Sequence, residues 1–134
     1  MDIVYDVLKT WYLGNQEDKR NKKQVLSGFR GKLLQIVTEI EVARLDDSLA
    51  MTDLKHSIPF HTSEFSRLLG TYEFDIPIEV SSELNKIRDQ LILANKGINI
   101  SCQSSLQEAE DALLIVFSIS KDLIAVIEKV VTET

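Results

Sequence analysis

Cysteine occurs once in this 134-residue chain, histidine and proline twice each, and glycine five times. A lone thiol, Cys102, cannot close an intramolecular disulfide, and a reducing compartment such as the cytoplasm is its simplest setting. So few turn-makers favour long elements joined by few connections. No Gly-x-Gly-x-x-Gly or Walker sequence is present, so no phosphate-cradling loop is in view. A Gly-x-Ser-x-Gly elbow is likewise missing.

Long apolar runs are also lacking. The most apolar window, Ala112 to Ser120, is followed by Lys121 and Asp122. That is well short of the roughly 20 apolar residues of a membrane-spanning helix. At the start of the chain, Asp2 and Asp6 stand where a secretory leader would carry basic residues, so none is expected. Excess positive charge is missing too. A net charge of −6 argues against a general nucleic-acid binder, which needs a surplus of Lys and Arg.

Hydrophobic residues at 44% and charged residues at 27% are ordinary for a soluble globular domain. Their spacing predicts an all-α protein, an antiparallel bundle of about four principal helices with a short N-terminal helical segment, as one domain over 1–134. Ile3, Val4, Val7, Leu8 and Trp11 define an amphipathic helix over 1–13. Leu26, Phe29, Leu33, Ile36, Ile40 and Ala43 form one seam of a long helix over 18–50. Gly28 and Gly31 fall within it, on a small-residue face with Gln24, Ser27 and Gln35. That face is either simply exposed or open to close approach by another backbone.

Pro59 predicts a break, with a short helix over 61–70 capped by His61 or Thr62 and stapled by Phe60 and Phe65. "TYEFD" then reads as a connector. Asp75 is the expected cap of a helix over 76–96, with Ile76, Val80, Leu84, Ile87 and Leu91 buried and "NKG" as its stop. Ser105 and Glu108 have capping-box spacing at the head of a helix over 105–131. Leu106, Ala109, Leu113, Val116, Ser120, Leu123, Ile127 and Val130 form its seam. Apolar residues also spread around the rest of that helix. Either it lies at the centre of the bundle, or a stripe through Phe117, Ile124 and Val131 meets a partner protein or a second copy.

Three constellations carry possible chemistry. Asp53 and His56 have the acid-x-x-His spacing of metal-binding helices, and His61 and Glu64 lie close in sequence. The second half of a di-metal motif is missing, so capping and packing of the corner is the main reading, and no cofactor is expected. Cys102 precedes a helix N-terminus, which favours a reactive thiolate, but no base stands near it in sequence. The basic residues Lys19, Arg20, Lys22, Lys23, Arg30 and Lys32 fall in an acid-free stretch. Of these, Lys19, Lys23 and Arg30 lie near one edge of the long helix. Behind the amphipathic start they resemble an anchor for anionic membrane, against which stands a solvated charged face. Trp11 and Tyr12 suit either core or an interface.

With no catalytic set assembled, the leading expectation is a non-enzymatic protein that binds a partner protein or its own copy. A peripheral membrane protein and a metal-binding helical protein are the alternatives.

Overall fold

The computed structural model describes residues 2–14, 19–45, 48–49 and 54–133. The long-helix seam is the frame of the fold. All six of its expected positions, from Leu26 to Ala43, are buried in α2 (Lys19–Ala43), joined by Val25 and Val37. This helix stops at Ala43 rather than near 50. The next seam position falls on Asp46 or Asp47, so a longer helix would turn a carboxylate towards the core. Instead β1 (Arg44–Leu45) pairs antiparallel with β2 (Ser48–Leu49), Arg44 opposite Leu49.

Ahead of it lies α1 (Asp2–Gly14), which buries Val4, Leu8 and Tyr12 at successive turns. That stripe is rotated from the expected one and leaves Ile3 73% exposed. Its far side is tied to the end of the chain: the Tyr5 hydroxyl donates to Glu133, and the Lys129 ammonium lies 4.3 Å over the Tyr5 ring.

The next helix, α3 (Ser57–Tyr72), begins before Pro59 rather than after it. Proline in a first turn is tolerated because the first four N–H groups have no helical partner to lose. Neither expected cap acts as one. His61 lies in the second turn and Thr62 donates its hydroxyl back to the Ile58 carbonyl at 2.7 Å. The staple also fails, since Phe65 is buried and Phe60 is exposed. Phe65 and Tyr72 instead pack edge-to-face on Phe29, at 6.4 and 6.3 Å between centroids. The helix runs through the exposed Gly70 because Leu69 and Tyr72 still have core to meet.

A tight turn follows, closed by the Glu73 N–H on the Leu69 carbonyl and the Asp75 N–H on the Tyr72 carbonyl. Pro77, not Asp75, caps α4 (Ile78–Ile100). The five expected core positions from Ile76 to Leu91 are buried, together with Ala94 and Ile98. Gly97 does not stop this helix. It lets α5 (Gln103–Thr132) cross close by: a Cβ there would stand 2.4 Å from the Ser105 carbonyl oxygen. The turn is made by Ser101, in the left-handed region at φ 59. Cys102 rather than Ser105 caps α5, and the Ser105 hydroxyl accepts the Cys102 N–H at 3.0 Å.

Helices α1, α2 and α4 all pack on α5. That central position accounts for much of its apolar excess, though Ile115 stays 45% exposed. Ile124 is buried, and Phe117 and Val131 are half-buried against the core. Of the expected partner stripe, Ile124 is thus enclosed, while Phe117 and Val131 keep part of their surface open. The single apolar cluster and the helix packing make this an all-α bundle.

Candidate functional site

The corner from His56 to Glu64 does not assemble the expected ligand set. His56 is exposed at the start of α3, while His61 is 3% exposed and its Nε2 lies 2.6 Å from Glu39 Oε2 on α2. Glu64 turns to Lys32 at 4.0 Å and Arg67 at 3.6 Å. Asp53 and the side chain of Lys19 lie outside the described residues. Among the described residues no three His, Cys, Asp or Glu side chains converge on a common point.

What forms instead is a polar bridge between α2 and α3. Lys32 is buried, 4.8 Å over the Phe60 ring, and donates to Gln35 Oε1 at 3.4 Å. Burial lowers its pKa below the ordinary 10.5, an effect that the attraction of Glu64 and Glu39 only partly offsets. Below the folded pKa, the charged Lys32 therefore weighs against folding. Stability rises with pH from the folded value towards 10.5, where the unfolded chain binds more protons. Lys32→Met is accordingly expected to raise the urea midpoint at pH 7, with a gain that shrinks as pH approaches 10.5.

The basic stretch is dispersed as well. Lys22 donates to the Trp11 carbonyl at 2.7 Å and lies 5.2 Å over its ring. Arg30 holds Glu128 with two contacts, at 2.9 and 2.7 Å. Lys32 is buried, which leaves Arg20 and Lys23 as exposed cations of the former cluster. Neighbours in sequence point to different tasks in space.

Cys102 is exposed, with the Ser104 hydroxyl 3.4 Å from its sulfur. Hydrogen bonds from the side chain of Ser104, then from Ser105, lower the thiol to about 7. Iodoacetamide should alkylate it at a rate that rises to half-maximum near that pH. A half-maximum near 8.5 would contradict this. Neither serine serves as a base at neutral pH, so neither completes a catalytic pair with the thiol. A Ser-x-x-Lys spacing does occur on α5, from Ser118 to Lys121. There the ammonium lies 5.1 Å over Phe117, and no hydrogen bond joins the two.

The most distinctive surface runs along α1. Three open crevices follow one another down that helix. The first lies between Asp2, Ile3 and Val4 and the α4 residues Glu79, Ser82 and Glu83. A second is lined by Asp6, Val7, Thr10, Trp11 and Pro77. The third, of about 480 Å³, passes from Trp11 to Lys22, Tyr72 and Asp75. Next in sequence to the lining residues Asp75 and Pro77, Phe74 is 92% exposed and Ile78 74%. Around this apolar strip Asp6, Asp75 and Glu79 are exposed, as is Asp2. Among the described residues none of these four is ion-paired.

Sequence reasoning missed this site because it passed over "TYEFD" as a connector. The available signal was an aromatic residue between two acids in a short turn, where no core could claim it. In comparison with known proteins, no family model matches the chain, and neither a curated protein nor a solved structure matches it significantly.

Proposed function

We propose that the chain is a non-enzymatic, cytoplasmic helical bundle that binds another protein through the strip along α1. The supporting observation is Phe74, held almost wholly in water on a tight, hydrogen-bonded turn. Exposed aromatics on a preformed surface are common anchors, because covering them releases water at little cost in order. Ile78, Ile3 and Val7 extend the apolar area beyond a single residue. Anionic membrane is the less favoured occupant, since the acids along the strip would be repelled and Arg30 and Lys32 of the basic stretch are engaged elsewhere.

Phe74→Ser tests this reading. The ring touches little, so stability should stay within about 0.5 kcal/mol of the parent. Recovery of the co-purifying protein from cells of the native host should fall at least tenfold. Equal recovery would remove the proposal.

A second copy is an alternative partner, favoured by a different face. Leu93, Ile100 and Ile115 are exposed along a groove between α4 and α5, with Lys96 on one wall and Glu108 and Asp111 on the other. Such a face is complementary to itself about a two-fold axis. Light scattering decides it: a dimer lost in Lys96→Glu supports this reading, and a monomeric parent chain eliminates it.

A further inference from the structure

Resting on that reading, we infer that the strip along α1 takes a basic amphipathic helix of a partner protein. The charge argument is local. Asp2 and Asp6 lie one turn apart on α1, and Asp75 and Glu79 are spaced likewise across the start of α4. These two acidic rows flank Ile3, Val7, Trp11 and Pro77, which line the successive crevices. No ion pair among the described residues neutralises them, and Lys22, which shares the third crevice with Asp75, is turned to the Trp11 carbonyl, so like charges one turn apart in each row repel in the free chain. A cationic partner relieves that repulsion and is drawn in by the same field.

The secondary structure of the occupant follows from hydrogen bonding. The walls are α1 on one side and the 72–77 turn with the start of α4 on the other, and no described strand lies there, so the strip offers no sheet edge. An extended segment docked there would leave its own N–H and C=O groups without main-chain partners, whereas a helix brings them already paired. Apolar residues on α1 recur at 3, 7 and 11, about 6 Å apart along the axis. A helix with apolar side chains every third or fourth residue meets that row, ridge into groove. Since α1 has 13 residues, the matching segment is about 20 Å long, some four turns.

Trp11 is the only tryptophan of the chain and lines both the second and third crevices, so its emission reports occupancy directly. The probe is a tryptophan-free peptide of about 14 residues, with leucine at every third or fourth position and lysine along both flanks. Its twin carries glutamate in place of lysine. At low salt the basic peptide should shift Trp11 emission to the blue and saturate, at least tenfold tighter than the twin. The difference should shrink as ionic strength rises towards about 0.5 M. In Asp6→Lys/Glu79→Lys, both sites being exposed and unpaired, the preference should reverse.

Equal binding of the twin, no shift with the basic peptide, or a shift only with phosphatidylglycerol vesicles would each overturn the inference. Loss of a co-purifying protein in Phe74→Ser, measured alongside, separates the two levels. If that dependence holds while the peptide fails, the inference alone falls. If both fail, the protein-binding reading falls with it.

Discussion

Phe29→Ala is expected to cost about 3–5 kcal/mol, seen as a lower urea midpoint at little-changed slope. Phe29 is 1% exposed on the α2 seam. Its ring meets two others from α3, Phe65 and Tyr72, both edge-to-face. Truncation removes the transfer energy of the ring and leaves a cavity that neighbours on two rigid helices fill only in part. It also forfeits both aromatic contacts, each worth roughly 0.5–1.5 kcal/mol beyond area. Against a typical domain stability of about 5–15 kcal/mol that is a large share. Tyr72 also lines the third crevice beside Trp11, so the variant should alter Trp11 emission as well. A loss below about 1 kcal/mol would mean that α2 and α3 do not meet through these rings.

Gly97→Ala should destabilise by roughly 1–3 kcal/mol, although alanine is the better helix former. The added Cβ would stand 2.4 Å from the Ser105 carbonyl oxygen and 3.0 Å from the Ala109 Cβ. That carbonyl belongs to the first turn of α5, so relief requires the two helices to move apart. Their separation loosens Ile98 and Ala109, both buried at the crossing. Gly31→Ala is the matched control. Nothing stands within 4 Å of a Cβ at that position on α2, so the substitution should stabilise by about 1 kcal/mol through helix propensity. Opposite signs at two helical glycines would place the close approach at Gly97. Stabilisation at both would contradict the α4–α5 crossing.

The interior of the bundle was legible because burial follows periodicity. Every expected seam residue of α2 and every core position from Ile76 to Leu91 is buried, and on α5 only Leu106 among the expected seam remains half-buried. Helix ends were less legible, since each is decided by a tertiary demand that local rules do not contain. Pro59 fits a first turn because α3 starts earlier, and "NKG" fails to stop α4 because Gly97 is used for close approach and Ile98 for the core. The apolar surplus of α5 had two readings at sequence level. The helices around it favour the central one, burying Ile124 and half-burying Phe117 and Val131.

Charged and polar residues were hardest to place. The basic stretch looked like one surface, yet Lys22, Arg30 and Lys32 are taken by Trp11, Glu128 and the polar bridge. His61 looked like a cap or ligand, and its partner Glu39 is 22 positions away. The acid-lined strip joins residues 2–11 to residues 72–83, and no spacing rule links segments so distant. Its position depends on which stripe of α1 is buried. The choice of Val4, Leu8 and Tyr12 is what leaves Ile3 outside.

A photo-crosslinking residue placed at position 74 tests the central claim most directly, with Asn99 as the control position. Asn99 is exposed on α4, about 30 Å of helix away from its first turn. Irradiation in cells of the native host should join position 74 to one protein, with the adduct mapped to a lysine- or arginine-flanked helical segment, and position 99 should give none. Absence of an adduct at 74, or the same adducts at both positions, would contradict a protein-binding site at this end of the bundle.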